Sequence, residues 1–357
     1  MSRVIILGAG ASIDASGGSL PSAKDFFEKI RNHQDLQLIL KNPETVKLLK
    51  KLISPSLDLE LNPKAIDKTN IENIFTLASL ESEIDPSDKS LWELTELIRK
   101  AISTLSQFEK IKDNNYKVLI EDFLDGSTSI ISYNWDSLLE EEIPNYSKPG
   151  EKFKGTENIY WEYLKVCTAE TLNTYAGSGI PSPTDEIAVK PAYLKLHGSV
   201  DSVFCKNTHC RTYMMPFRIK HATQDHYCGA CYEKVTPYLI PPVQNKPIRN
   251  YPYIRRAWML ASQLLYQAEE VIIWGYSLPE TDHWSRWLIN HLWKEGANCQ
   301  KLIIINPEVA GYSKVKKAKI KRNSFVSKFT PPLKDISSIE IQLFEYYDLY
   351  KKGEQIF

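Results

Sequence analysis

Residues 3–12 read Arg-Val-Ile-Ile-Leu-Gly-Ala-Gly-Ala-Ser, and they give the strongest indication of the fold. The first half is a short apolar run rich in β-branched residues, which indicates a buried strand. The two glycines that follow allow a tight turn and a close approach of the backbone to a pyrophosphate, whose charge the next amides would stabilise. The third glycine of the dinucleotide-binding fingerprint is missing, so a plain strand-to-helix turn is the alternative.

Further segments along the chain alternate between strand and helix patterns. Short apolar runs that indicate strands occupy residues 128–133, 193–196, 271–274 and 301–305, and a last strand and helix are expected within 336–350. Helical patterns occupy residues 22–32, 136–142, 251–268 and 282–295. Strands separated by helices predict an α/β fold, a parallel sheet with helices on both faces. Ligands of such sheets bind beyond the carboxyl ends of the strands.

Two segments differ from this alternation. Residues 35–125 are helical in pattern throughout, with no glycine between Gly18 and Gly126, and they predict a helical insertion or small subdomain. Residues 201–235 contain four cysteines and predict a small zinc-ribbon module. The remaining parts, 1–34, 126–200 and 236–357, would then form the sheet domain.

The four cysteines follow the pattern C-x4-C-x17-C-x2-C at Cys205, Cys210, Cys228 and Cys231. Two close thiol pairs separated by a loop of this size can close tetrahedrally around one zinc ion. Because zinc held by four thiolates has no open position for water, the metal is expected to be structural. Four unrelated buried cysteines are the alternative.

The composition is that of a globular protein, since 43% of the 357 residues are hydrophobic and 25% are charged. Lysine plus arginine equals aspartate plus glutamate, so no net charge draws the chain to nucleic acid, and direct nucleic-acid binding is not expected. No apolar segment is as long as a transmembrane helix, and the N-terminal apolar run is too short for a signal peptide. Together with the cysteine usage, these features predict a cytoplasmic protein without a membrane partner.

Polar residues that could carry chemistry lie directly after the predicted strands. His197 and the glycine behind it end one strand, and histidine is the side chain most readily placed to take a proton near neutral pH. Asn134 and Asp136 end another strand, where an amide could orient water or a carboxamide and a carboxylate could stabilise positive charge. The alternatives are a core histidine and, for the carboxylate, a cap of the helix that begins there.

Three further polar residues, Ser12, Ser277 and Asn306, occupy corresponding positions behind other strands, and Gly275 precedes the second of them by two residues. Side chains of this kind can hydrogen-bond phosphate or ribose hydroxyls. Capping and turn chemistry is the alternative for each. The sequence contains no G-x-S-x-G nucleophile elbow, no P-loop and no H-E-x-x-H motif.

In this order along the chain, the glycine loop, the Asn134-Trp135-Asp136 segment, the His197-Gly198 pair and the four-cysteine module resemble the sirtuin family. The strand ends Gly275-Tyr276-Ser277 and Ile305-Asn306-Pro307-Glu308 continue the likeness, which spans about residues 3–310 and skips the helical insertion. The resemblance implies a Rossmann-like NAD domain with a smaller zinc-ribbon and helical domain. It also implies cleavage of the bond between nicotinamide and ribose of NAD.

The resemblance also implies a role for each matching position. His197 would be the catalytic general base, and Asn134 and Asp136 would line the nicotinamide pocket. The residues that would contact the phosphates and the adenine ribose are Gly8, Ala9, Gly10, Ser12, Gly275, Ser277 and Asn306. The zinc ligands would be Cys205, Cys210, Cys228 and Cys231.

Departures from the deacetylating sirtuins favour hydrolysis. Those enzymes continue the first loop with an arginine-containing motif, whereas residues 16–22 of this chain read Ser-Gly-Gly-Ser-Leu-Pro-Ser. Behind the cysteine module, Pro241 and Pro242 cannot donate ladder hydrogen bonds, which disfavours the addition of a peptide strand. The stretches 133–140 and 194–199 are closest in pattern to the sirtuin-like domains of bacterial antiphage defence systems, which hydrolyse NAD.

The expected function is therefore that of an NAD+ hydrolase, a nucleosidase that cleaves NAD+ to nicotinamide and ADP-ribose and depletes it as an antiphage effector. The alternatives are an NAD-dependent protein deacylase and a module that senses NAD or ADP-ribose without turnover. Because an ungated NAD+ hydrolase would be toxic, the expected partners besides NAD+ are further copies of the chain or a gating protein of a defence system.

Overall fold

The structure, a computed structural model, describes residues 2–59, 62, 64–108, 114–123, 127–146, 192–219, 225–243, 246–279, 282–312, 325–330 and 339–352. The strands are β1 (Arg3–Leu7), β2 (Thr128–Ser132), β3 (Tyr193–Lys195), β4 (Gly198–Phe204), β5 (Pro216–Arg218), β6 (Thr236–Leu239), β7 (Glu270–Trp274), β8 (Lys301–Ile305) and β9 (Glu340–Phe344). The α-helices are α1 (Ala9–Ala15), α2 (Phe26–Asn32), α3 (Gln37–Lys41), α4 (Pro43–Leu52), α5 (Ile71–Ile84), α6 (Ser90–Phe108), α7 (Asn115–Phe123), α8 (Leu138–Tyr146), α9 (Pro252–Gln267), α10 (His283–Ile289) and α11 (Tyr347–Lys351).

Six of the strands form one parallel sheet in the order β3-β2-β1-β7-β8-β9. Numbered along the chain within this sheet, the order is 3-2-1-4-5-6, which is the doubly wound Rossmann order. The direction of winding reverses between β1 and β7, so the ligand crevice of such a sheet opens at the carboxyl ends of these two strands. The predicted Rossmann-like α/β fold is confirmed.

The central strands are buried because both faces of the sheet are covered, and β1, β7 and β8 are apolar after their first residue. In β1, the residues from Val4 to Leu7 are at most 2% exposed, and β2, β7 and β8 are buried in the same way. A strand buried on both faces reads as a continuous hydrophobic run rather than as an alternation. This is why such short segments were recognisable in the sequence.

A second hydrophobic core lies among the helices that precede β2. Helices α2 to α6 contribute most of its buried residues, and Val200, Leu239 and Val243 from the region of β4 and β6 complete it. Helices α3 to α7 lie within residues 35–125, where turns occupy the described residues between α4 and α5, and α7 packs with Tyr116, Leu119 and Ile120 in the core of the parallel sheet. The division of the chain into three domains at the stated boundaries stays a prediction.

A three-stranded antiparallel sheet in the order β5-β4-β6 connects the two cores and leads into the cysteine cluster. No helix among the described residues has both the length and the apolar character needed to cross a membrane.

Candidate active site

The loop after β1 and the turn after β7 cross in direct backbone contact. The Gly10 N–H donates to the Gly275 carbonyl oxygen at 2.9 Å. A Cβ added to Gly275 would lie 2.1 Å from the backbone nitrogen of Ala11, and one added to Gly8 would lie 2.5 Å from the Cα of Tyr276. Gly275 also has a φ of +66°, which glycine adopts without steric cost. Glycine is therefore required where the carboxyl ends of the two central strands meet.

We expect Gly275→Ala to lower the free energy of unfolding by about 3 kcal/mol. Left-handed backbone costs a non-glycine residue about 1–2 kcal/mol, and the clash with the Gly10–Ala11 backbone adds about 1–3 kcal/mol of overpacking. Urea unfolding of both proteins measures the difference. Gly18→Ala is the matched control, because Gly18 has a φ of +89° and a Cβ there would meet nothing within 4 Å. Equal losses in the two variants would contradict a special role for the crossing.

The segment from Gly8 to Ser12 turns at this edge of the sheet as its sequence indicates, and α1 begins within it. Ala9 is exposed and Gly10 is half-buried, so the backbone of the turn is accessible there. The Ser12 side chain, in contrast, is buried: it is 3% exposed, and its hydroxyl lies 2.8 Å from the Tyr116 hydroxyl. Phosphate binding by this segment stays a prediction.

Asn134 joins the end of β2 to the glycine loop. Its Nδ2 lies 2.9 Å from the Gly8 carbonyl oxygen, 2.7 Å from Ser12 Oγ and 3.2 Å from the Tyr116 hydroxyl, and its two hydrogens are shared among these three acceptors. The side chain is only 7% exposed. The amide therefore has a clear structural task, and Tyr116 of α7 is a site residue that sequence reasoning missed.

Asp136 caps the helix that follows it, as the capping alternative predicts for this carboxylate. Its Oδ1 accepts from the Leu138 N–H at 3.1 Å, at the start of α8. Its backbone carbonyl accepts from the Lys195 ammonium, which also pairs with Glu140 at 2.8 Å. The Lys195 and Glu140 side chains are each 1% exposed. Through this buried ion pair and the contact with the Asp136 carbonyl, Lys195 joins β3, and with it His197, to the Asn134–Asp136 segment.

His197 lies inside an aromatic cluster. Its ring meets the Tyr133 ring edge-on at 5.1 Å between centroids and lies 6.2 Å from the Trp258 ring. The ring hydrogen-bonds the Tyr133 backbone, while Nε2 is buried and has no hydrogen-bond partner among the described residues. Burial and the nearby Lys246 ammonium lower the pKa of His197 to about 3, so the imidazole is uncharged at neutral pH. An uncharged ring with an unpartnered nitrogen can accept a proton, and its low pKa makes it a weaker base than an exposed histidine.

The buried imidazole predicts a loss of stability in acid. The pKa of His197 is about 3 in the folded protein against an ordinary value of 6.5, so the unfolded chain binds its proton first as the pH falls. Above pH 6.5 the protonation of His197 should leave the free energy of unfolding unchanged. Between pH 6.5 and pH 3 it should lower this free energy by up to about 5 kcal/mol. Urea unfolding across this range measures the slope. His197→Gln cannot titrate and should flatten it, and an unchanged slope would contradict the assignment.

An ion pair that sequence reasoning missed lies beside the histidine. Lys246 Nζ is 2.8 Å from Asp282 Oδ1, and the two side chains are 4% and 8% exposed. Asp282 Oδ2 accepts from the Tyr276 hydroxyl at 3.0 Å, and Oδ1 accepts from the Ser285 N–H at the start of α10. The Tyr276 ring stacks on Tyr133 with centroids 4.3 Å apart, so the ion pair, the two tyrosines and the imidazole are contiguous.

Ser277 and Asn306 stand at the ends of β7 and β8, next to the same turn. Asn306 Nδ2 donates to the Tyr276 carbonyl oxygen at 3.4 Å, and its Oδ1 accepts from the Glu308 N–H at 2.9 Å. Ser277 is half-buried, and its backbone carbonyl accepts from the Lys328 ammonium at 3.3 Å. The structure brings both residues to the predicted edge, with Asn306 engaged in turn chemistry. Contact of either residue with a nucleotide stays a prediction.

The four cysteines come together at one point beyond β4. One ligand atom from each of Cys205, Cys210, Cys228 and Cys231 lies within 4.8 Å of the others. The Sγ–Sγ distances are 3.5 Å between Cys205 and Cys231 and 3.7 Å between Cys210 and Cys228. Tetrahedral zinc with Zn–S bonds of about 2.3 Å requires sulfur separations of about 3.8 Å, so the cluster fits a structural zinc ion.

Thr212 adds a further contact to the cysteine cluster. Its hydroxyl lies 3.1 Å from Cys210 Sγ and 3.2 Å from Cys228 Sγ. A hydroxyl that donates to a metal-bound thiolate orients the ligand and tempers its charge. The cysteines pack separately from the core that contains Tyr133 and Trp258, the ring neighbours of His197, and zinc held by four thiolates would have no open position for a reacting group.

Solved Sir2 structures are similar to this chain. A mutant Sir2 homologue in complex with 2′-O-acetyl-ADP-ribose is 17% identical over 86% of this chain and 80% of that one, with a TM-score of 0.40. A Sir2 homologue–NAD complex is 15% identical over 86% and 78%, with a TM-score of 0.37. Sir2 bound to an inhibitor, 2′-O-acetyl-ADP-ribose and a deacetylated peptide is 14% identical over 99% and 94%, with a TM-score of 0.35. No protein-family model and no curated protein matches the chain.

Proposed function

We propose that the chain is an NAD+ hydrolase that cleaves the bond between nicotinamide and ribose. The observation that carries this proposal is the glycine crossing between Gly10 and Gly275, joined through the adjacent Tyr276 and Tyr133 rings to an uncharged imidazole with an unpartnered Nε2. A dinucleotide in the crevice of a doubly wound sheet would lie at this crossing. Its ribose would then have to reach His197.

For this reaction the protein mainly has to position NAD+ and to stabilise the positive charge that develops on the ribose. When the glycosidic bond breaks, its electron pair returns to the nicotinamide ring nitrogen, and nicotinamide leaves as a neutral molecule. The ribose carbon develops oxocarbenium character, as in glycoside hydrolysis, and then takes up a water oxygen. The water loses one proton, so the products are nicotinamide, ADP-ribose and a proton. No strong general acid is needed, whereas a base and a negative charge nearby are useful.

The site residues suit these tasks. His197 Nε2 would accept a proton from a ribose hydroxyl, and that hydroxyl would regain a proton from the attacking water, so that one proton is released overall. Asp136 would support the positive nicotinamide end, and Asn134 would orient the water or the carboxamide. The Nδ2 contacts of Asn134 with Gly8 and Ser12 support a second task, because they couple this amide to the loop proposed to hold the phosphates.

Substrate binding must rearrange part of the site. Only 8% of the His197 surface is accessible, and the stacked rings of Tyr133 and Tyr276 are 6% and 7% exposed. A ribose can contact Nε2 only after some of these side chains move. Such a step is a natural point for control by assembly.

We propose in addition that the hydrolase is a cytoplasmic antiphage effector, gated by further copies of the chain or by a partner protein. Helix α5 supports such a contact, because Leu77, Leu80 and Ile84 are 45%, 49% and 84% exposed at helical spacing. Exposed apolar patches of this kind mark protein contacts. Measuring NAD+ in infected cells with and without the gene tests the cellular role.

A binding module without turnover is the second candidate, and the burial of the site favours it. The polar groups of Ser12 and Asn134 already bond one another, and His197 is closed off. Such a module would bind NAD+ or ADP-ribose in calorimetry and release no nicotinamide.

Incubation of the purified protein with NAD+, followed by chromatography of nicotinamide and ADP-ribose, tests the proposal. Release of both products without any added protein substrate is the expected result. A parallel reaction with an acetyl-lysine peptide covers the remaining alternative, because a deacylase consumes NAD+ only when the peptide is present. Binding without product under all these conditions would overturn the assignment.

A further inference from the structure

The buried Lys246–Asp282 ion pair has no task in the reaction steps given above. Removing two charges from water is costly, and apolar residues of similar size often serve better where only packing is needed. Asp282 is the N-cap of α10, and both side chains are more than nine-tenths buried. Packing alone therefore does not account for a buried ion pair at this position.

The pair is connected to His197 by an unbroken series of contacts. Asp282 fixes the Tyr276 hydroxyl at 3.0 Å, and the Tyr276 ring stacks on Tyr133 with an interplanar angle of 10°. Tyr133 in turn packs edge-on against the imidazole and provides the backbone group that the ring hydrogen-bonds. The orientation of His197 therefore depends on a tyrosine whose stacking partner is held by the ion pair.

The pair also acts on the imidazole through charge. After burial, the Lys246 ammonium is the larger influence and lowers the pKa of His197, while the Asp282 carboxylate opposes it. The other groups facing the ring are neutral, because burial raises the pKa of both tyrosine hydroxyls and the Trp258 indole carries no charge. Glu72 of α5 interacts with Lys246 and Asp282, and burial raises its pKa.

We propose that Lys246 and Asp282 are positioning residues for His197, which hold its ring through the stacked tyrosines and place two opposite charges near it. The consequence for catalysis rests on the proposed NAD+ hydrolysis. The effect on the ring itself does not, and it can be measured in the protein without substrate.

The first test follows the His197 ring signal by NMR as a function of pH, with His197→Gln to assign the signal. Lys246→Met leaves the Asp282 carboxylate facing the ring, and the titration midpoint should rise by about 1–3 pH units. Lys246→Met combined with Asp282→Asn removes both charges and should give a midpoint between those of the parent and the single variant. Lys246→Arg keeps the charge and should restore the parent midpoint.

The matched control is Arg3→Met, which breaks the Arg3–Glu270 ion pair at the opposite edge of the sheet and should leave the midpoint unchanged. Parent midpoints in both Lys246→Met and the double variant, in folded protein, overturn the proposal. If the parent hydrolyses NAD+, the acid limb of its kcat profile should move with the midpoint. If the parent does not hydrolyse NAD+, the order of the His197 titration midpoints in the parent and the variants still tests the role of the ion pair. The proposed reaction and the proposed role of the pair can therefore fail independently.

Discussion

His197→Gln is expected to hydrolyse NAD+ about 100- to 10,000-fold more slowly than the parent protein, the usual loss when a general base is removed. Glutamine keeps the size and polarity of the side chain but cannot take up a proton at neutral pH. The fold should survive, because His197 is uncharged and its ring makes packing contacts with Tyr133 and Trp258 that glutamine partly replaces. Initial rates of nicotinamide release give the comparison.

Another buried histidine provides the matched control for this variant. His291 is 7% exposed and its pKa is lowered by burial, but its ring nitrogens contact the Trp287 carbonyl oxygen and the Lys294 ammonium. His291→Gln should therefore retain the parent rate. Calorimetry should show that His197→Gln still binds NAD+. A His197→Gln protein that binds NAD+ and turns it over at the parent rate would remove the imidazole from the mechanism.

The sheet was predictable because its signals are local. Runs such as Val4–Leu7 and Leu302–Ile305 are apolar throughout, and each is followed by a residue type that ends a strand. The cysteine spacing likewise predicted the cluster, because Cys228 and Cys231 form a tight local pair and the structure brings Cys205 and Cys210 to it.

The contacts between residues within the site were not predictable, because the residues that contact one another are distant in the sequence. Asn134 contacts Gly8 from 126 residues away, and Lys246 meets Asp282 across an intervening helix and strand. One signal was available, since Lys195 interrupts an apolar strand and a buried lysine needs an acidic partner. Nothing in the sequence indicates that the partner is Glu140.

The helical segment shows a further limit. Its sequence pattern predicts helices, but it does not predict that Phe75 of α5 packs against Trp135 with ring centroids 6.3 Å apart. This contact places the helices directly against the Asn134–Asp136 segment. A movement of α5 would therefore reach the candidate site through one aromatic pair.

Removal of the metal is expected to have the largest effect on stability. Structural zinc contributes about 10–16 kcal/mol of binding free energy in small zinc modules, and most of it appears as folding free energy. Cys228→Ser removes a 1% exposed ligand and leaves three thiolates, so the variant should lose zinc and unfold the segment around β5. Elemental analysis should give one zinc per chain for the parent and much less for the variant, and hydrogen exchange should report the local unfolding.

Cys299→Ser is the matched control, because Cys299 is a buried free cysteine outside the cluster and should not affect zinc content. The parallel sheet has its own core, so Cys228→Ser should leave its hydrogen-exchange protection intact while the antiparallel sheet β5-β4-β6 loosens. Since β4 begins at Gly198, directly after His197, this loosening should also slow NAD+ hydrolysis although zinc takes no part in the reaction. Full zinc occupancy in Cys228→Ser, or equal zinc loss in both variants, would contradict a four-thiolate site.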